Sequence, residues 1–244
     1  MTKTKIIAYI NNENINLKEM LLNGVDVVCL DKSFLDYDSI SRIISKIKKL
    51  NKELNLSTTI MIDLEGPCIK TGKFKNGQAI FKTKDRIRMH MNPTIGSEFS
   101  FSVNCPILIN YLKAHSIIKL NEGKVILEVL EIGMDYALCE VIQGGIIKSN
   151  SKIYLPDIIV RRKYLTDQMK EDIIFASKME ADYLLISNVT CKEDLLEVND
   201  LLINLKNDHL ALIPKIDNDQ IFYNIDKIIL HILQIAMCFF KIFS

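Results

Sequence analysis

Residues 61–72 read Met-Ile-Asp-Leu-Glu-Gly-Pro-Cys-Ile-Lys-Thr-Gly. A continuous apolar run ends there in a carboxylate, Asp63, and the chain then breaks at Gly66-Pro67. Runs of this kind mark strands buried on both faces, and in parallel α/β sheets ligands collect beyond the carboxyl ends of the strands. Asp63 therefore sits where chemistry is expected. A second candidate lies in Pro-Lys-Ile-Asp-Asn at residues 214–218. Strand alternation puts Lys215 and Asp217 on one face, an ammonium and a carboxylate side by side. An ordinary solvated strand end is the alternative for that pair. Cys29 and Cys68 have no histidine close in sequence to activate them and read as inert fillers. The six cysteines form no Cys-x-x-Cys pair and the four histidines have no ligand spacing, which argues against a zinc site and a secreted disulfide framework. Reduced thiols in a cytoplasm are the expectation.

The elements that must position these residues alternate. Residues 5–9, 25–30 and 58–63 are apolar, β-branched runs. Residues 16–23 and 39–54 are helical, with Ile40, Ile43, Ile44, Ile47 and Leu50 on one stripe of the second. Such alternation means a parallel sheet with right-handed crossovers. From 73 to 156 the texture changes to short alternating runs broken by Asn76-Gly77, Asn92-Pro93, Glu122-Gly123 and Gly144-Gly145, which predicts an inserted all-β domain. Helix and strand alternation resumes after Thr166, an expected N-cap. The chain is thus expected to be α/β, with domains at 1–72, 73–156 and 157–244.

Composition bounds the partners. With 31 Lys+Arg against 30 Asp+Glu, no electrostatic field calls for nucleic acid or an acidic membrane. The apolar residues 228–240 are shorter than a membrane span of roughly 18 residues and are interrupted by His231 and Gln234.

Several motifs resemble the pyruvate kinase family in order and spacing. Residues 61–72 resemble its Leu-Asp-(Thr/Leu)-(Lys/Glu)-Gly-Pro-(Glu/Lys)-Ile-Arg-Thr-Gly signature, residues 24–34 its Gly-x-Asp-x-x-Arg-x-Asn-Phe-Ser-His, and residues 214–218 its Ser-Lys-Ile-Glu-Asn. Glu131-Ile-Gly-Met-Asp-Tyr136 with Gln143-Gly-Gly145 is similar to the family's lid hairpin, and Leu155-Pro156 to its return to the barrel. The resemblance implies a TIM-type (β/α) barrel, incomplete here at about strands 1–6, with a β lid inserted after strand 3. It implies phosphoryl transfer from phosphoenolpyruvate to ADP, giving pyruvate and ATP, with Mg2+ and K+ as cofactors. Lys215 falls on the catalytic lysine, and Asp217, in place of Glu, on a Mg2+ ligand. Asp31, Ser33, Asp63 and the Leu64 carbonyl fall on the monovalent-cation site, where the extra charge of Asp31 should favour a divalent ion. Lys70 and Ser187 fall on substrate-phosphate positions.

Other family positions are lost. The phosphate-binding Arg reads Cys29, the His beside Ser33 reads Phe34, and the Arg after strand four reads Thr190. Lys241 falls where a second metal carboxylate belongs. A missing charge-stabilising contact typically costs about 3 to 4 kcal/mol of transition-state stabilisation, so this chain alone is expected to be inactive. The alternative to an impaired enzyme is a remnant that binds cations or phosphate weakly. A barrel cut short leaves parallel edges open, which makes homo-oligomerisation or a complementing chain an expectation.

Overall fold

The computed structural model describes residues 4–158, 160–207, 209–216 and 224–230. They form two units, one running to Pro67 and resuming at Lys163, the other spanning Cys68–Arg162.

In the first unit, β1 (Ile7–Ile10) leads to α1 (Leu17–Leu22), β2 (Val27–Asp31), α2 (Tyr37–Leu54) and β3 (Thr59–Leu64). The local chemistry sets the boundaries. Asp36 caps α2 by accepting from the Ser39 N–H at 2.8 Å, and Asn55 ends that helix in the left-handed region. Gly24, after α1, has φ +91°, which a side chain would resist.

The second unit is all β. Its strands are β4 (Ile69–Lys70), β5 (Gln78–Phe81), β6 (Arg86–His90), β7 (Ser100–Ser102), β8 (Ile117–Leu120), β9 (Val125–Ile132), β10 (Tyr136–Gln143), β11 (Gly145–Lys148) and β12 (Lys152–Tyr154). Seven of them form one sheet in the order β4-β12-β8-β9-β10-β6-β7, and β5 pairs with β11. Alternation along β9 and β10 buries Val125, Leu127, Val129, Ala137, Cys139 and Val141 in one core with Phe81 and Phe101. Because β4 pairs with β12, the β unit takes in residues ahead of position 73. A depression of about 490 Å3 on this unit is lined by Asn110, Lys113, His115 and Asp157, among others, and by none of the candidate site residues.

The first unit resumes with α3 (Asp167–Lys178), β13 (Tyr183–Ile186), α4 (Lys192–Asn204) and β14 (Ala211–Pro214). Thr166 caps α3, its hydroxyl accepting from the Met169 N–H at 3.2 Å. Residues 224–230 are helical. The five strands are parallel in the order β1-β2-β3-β13-β14. This is the α/β architecture of part of a (β/α) barrel, with the β unit inserted after the third strand.

The parallel sheet has two unlike faces. Val28, Leu30, Ile60, Ile62, Leu64, Leu184 and Ile186 pack with the stripe of α2 and with Met169, Ile173, Leu195 and Val198 of α3 and α4. The opposite face carries a smaller cluster, Val27, Cys29 and Met61, flanked by Tyr183, Leu185 and Ile213. That second face curls. β1 and β14 are at opposite edges of the five strands, which in a flat sheet would lie roughly 19 Å apart. Yet Lys215, just after β14, has its Nζ 3.4 Å from the Tyr9 hydroxyl of β1. Only a concave sheet closes that distance, and the small cluster lines the concavity.

Candidate functional site

Strand register decides which side chains meet in the concavity. Tyr9 pairs with Cys29, Cys29 with Met61, and Met61 with Tyr183. Two residues further on, Asp31 pairs with Asp63 and Asp63 with Leu185. Side chains two apart share a face, so Asp31, Asp63, Ser187 and Lys215 gather at the carboxyl ends of their strands, above the Cys29 layer.

An ion pair dominates this end of the sheet. The Lys215 Nζ lies 2.9 Å from Asp63 Oδ2 and 5.7 Å from the centre of the Tyr9 ring. Asp63 is 4% exposed, so its charge is held in a poorly solvated place with the lysine as counter-ion. The Lys215 N–H also donates to the Ile186 carbonyl at 2.8 Å, which continues the β13–β14 ladder to the lysine itself. Burial pushes the Cys29 thiol up to about 12; Lys215 lowers it and Asp31 raises it, so both charges act on this sulfur. Cys29 is a neutral group in the layer beneath the charged strand ends.

The loops beyond the strands are tightly built. Asp31 Oδ1 accepts from the Ser33 N–H at 2.9 Å, and the Lys32 N–H donates to the Asp63 carbonyl at 3.1 Å, tying the end of β2 to the end of β3. Ser33 and Phe34 are exposed, and the Leu64 side chain lies on the helix-covered face. At the break after β3, a Cβ on Gly66 would fall 1.8 Å from the Ser187 carbonyl oxygen. That oxygen already accepts from the Tyr164 hydroxyl at 2.7 Å. Backbone meets backbone here, so Gly66→Ala has no flexible neighbour to displace. The substitution should lower the unfolding free energy by about 1–3 kcal/mol, measured by denaturant titration, and an unchanged midpoint would show that the loop does not seat on Ser187.

Thr190 has a structural task. Its N–H and hydroxyl both donate to Asp194 Oδ2, at 2.7 and 2.8 Å, and the Cys191 N–H joins them at 3.2 Å, closing the first turn of α4. Lys70 lies on β4 in the β unit, where its N–H donates to Asn104 Oδ1 at 2.8 Å. Asp217 and Lys241 lie outside the described residues. The site residue that sequence reasoning missed is Tyr9. Its signal was present, a tyrosine two residues after Ile7 on an otherwise apolar strand, but only the curl of the sheet brings its hydroxyl to Lys215.

Residues 1–237 match the family described as the barrel domain of pyruvate kinase. The chain belongs to the pyruvate kinase family. It is 32% identical over 234 residues to the pyruvate kinase of Clostridium perfringens (strain 13 / Type A), covering 94% of this chain and 49% of that protein. Against a pyruvate kinase of Staphylococcus epidermidis it is 31% identical over 234 residues, covering 94% of this chain and 40% of that protein. The chain thus spans about half the length, or less, of these curated relatives.

The pyruvate kinase resemblance implies Mg2+ and K+, and Asp217 of the Mg2+ site lies outside the described residues. Asp63 Oδ2, an oxygen that such a cation would take, is held by an ammonium. Among the described residues no group of three or more His, Cys, Asp or Glu is placed to hold a metal ion.

Proposed function

We propose that this chain carries a pyruvate kinase strand-end site that meets phosphorylated substrates of the phosphoenolpyruvate and ADP kind but transfers no phosphoryl group on its own. The observation that carries this reading is Cys29. Phosphoryl transfer is almost entirely positioning and electrostatic stabilisation, so the cations around the moving phosphate are the catalyst. A cysteine supplies no positive charge at this position, in the layer beneath Asp31 and Asp63. Lys215 is paired with Asp63, and Thr190 is committed to Asp194. By resemblance Lys215 would be the group nearest the chemistry, with Ser187 on the substrate phosphate. Mg2+ and K+ belong to the family reaction, with Asp217 as the Mg2+ ligand that the resemblance offers. Free cysteines favour a cytoplasmic setting, and no described helix is long and apolar enough to cross a membrane.

The test is a coupled assay for pyruvate with phosphoenolpyruvate, ADP, Mg2+ and K+. No pyruvate above the protein-free blank is expected. Turnover in the roughly 1–100 s⁻¹ range usual for kinases would overturn the proposal.

A further inference from the structure

We infer that the exposed face of β6 in the all-β unit is a binding surface for single-stranded nucleic acid, with phosphates on a row of cations and bases against the aromatic rings beside it. The near-neutral charge of the whole chain hides a division. Residues 68–162, the β unit, carry 14 Lys+Arg against 8 Asp+Glu, so positive charge is in local excess. Part of that excess is concentrated in Lys-Thr-Lys-Asp-Arg-Ile-Arg at residues 82–88. Alternation along β6 sends Ile87 and Met89 into the core, both 0% exposed, and leaves Arg86 and Arg88 outside, about 6.8 Å apart by strand rise. Lys82 and Lys84 are exposed in the turn that opens the strand, and the Lys84 N–H donates to the Val141 carbonyl at 2.8 Å, which fixes the turn to β10. None of the four cations is ion-paired among the described residues. The nearest carboxylates by register and sequence are Glu140, opposite Arg86, and Asp85 in the turn.

A merely solvated face does not call for such a row, because surfaces ordinarily mix both signs and a run of one sign repels itself. A polyanion removes that repulsion. The flanks of the row decide which polyanion fits. On one side Tyr136 and Leu138 of β10 are register partners of His90 and Arg88, and the Arg88 guanidinium lies over the Tyr136 ring, 5.3 Å from its centre. On the other side the Arg88 N–H donates to the Phe99 carbonyl at 3.0 Å, and Phe99 is 67% exposed. Ser100 of β7, the register partner of Arg88, adds a hydroxyl beside the row. Cations interleaved with accessible aromatic rings suit a strand whose bases are unpaired, since every base has a face that stacks, whereas a duplex keeps its bases within its own stack. This inference concerns the β unit alone and stands apart from phosphoryl transfer, so its test uses no substrate of that reaction.

The experiment is fluorescence anisotropy of a labelled oligothymidine of about 20 nucleotides, titrated with the 244-residue chain between about 50 and 200 mM KCl. The logarithm of the binding constant should fall with the logarithm of salt with a slope of about −2.8, four phosphate contacts at about −0.7 each on a single strand. Arg86→Gln/Arg88→Gln should halve that slope. Phe99→Ala should weaken binding at least about fivefold at every salt concentration and leave the slope unchanged, because stacking releases no counter-ions. Lys46→Gln/Lys52→Gln removes the same charge from exposed positions on α2 and should bind as the wild type does. Should Arg86→Gln/Arg88→Gln fail to fold, Lys82→Gln/Lys84→Gln reads the same slope from the turn. Absence of binding at the lowest salt would overturn the inference, as would an equal loss in the α2 variant, full affinity in Phe99→Ala, or tighter binding of a duplex of the same length.

Discussion

Asp172→Ala should lower the unfolding free energy of the first unit by about 3–5 kcal/mol, the cost of stripping one partner from a buried ion pair. Asp172 is 5% exposed on α3. It accepts from the Tyr37 hydroxyl at 2.6 Å and from Gln168 Nε2 at 3.2 Å, and its Oδ1 lies 3.6 Å from the Lys32 Nζ. The Lys32 ammonium in turn sits 4.4 Å over the Tyr37 ring, and Tyr37 packs on Phe175 with ring centres 4.6 Å apart. Burial first, and then the Asp172 carboxylate, push the Tyr37 phenol up to about 12, so it remains a donor throughout the stable range. Removing the carboxylate leaves Lys32 and Tyr37 facing a dry gap. Lys32 is also the residue whose N–H ties β2 to the Asp63 carbonyl, so the loss reaches the strand ends. Asp172→Asn keeps a hydrogen-bond acceptor and should cost clearly less. Denaturant titration decides it: a loss below about 1 kcal/mol for Asp172→Ala would mean that Lys32 and Asp172 behave as an ordinary surface pair.

The second large effect is chemical. At pH 8 the native chain should be alkylated by iodoacetamide at Cys29 and Cys139 about a thousandfold more slowly than the urea-unfolded chain. Burial raises both thiols from 9.0 to about 12, which is three decades in thiolate fraction, and both are 0% exposed. Thiols raised in the folded state contribute stability that is fully present below pH 9.0 and is lost as pH climbs toward 12, because the unfolded chain releases those protons first. Stability should therefore fall between those limits. Peptide mass spectrometry with timed alkylation reads the rates. Native-state labelling of Cys29 within tenfold of the unfolded rate would show that this thiol is neither buried nor held protonated.

The parallel unit was legible because its signals are local. The stripe of α2, the cap at Thr166 and the apolar runs of β2 and β3 each depend on neighbours within a turn or a strand. In the β unit the longer runs were legible, and the shortest strands were not. Ile69–Lys70, Ser100–Ser102 and Lys152–Tyr154 are too short to show a period of two. Asp63 and Lys215 were each identifiable at strand ends, yet their contact was not. It joins residues 152 apart in sequence and needs both the order β3-β13-β14 and the curl of the sheet. Lys32 was read only as part of a motif. Nothing near it in sequence announces Asp172, which waits on another helix.

Whether the strand-end charges of this chain can move a phosphoryl group at all is read by a single-turnover measurement, free of interference from product release. The 244-residue protein in large excess is mixed with phosphoenolpyruvate carrying radioactive phosphate, ADP, Mg2+ and K+, quenched at intervals, and scored for labelled ATP. The expected result is label that stays on phosphoenolpyruvate at the protein-free rate. Transfer of label to ATP within seconds, reduced by Lys215→Met, would show that a neutral Cys29 and a paired Lys215 suffice for catalysis and would contradict the account.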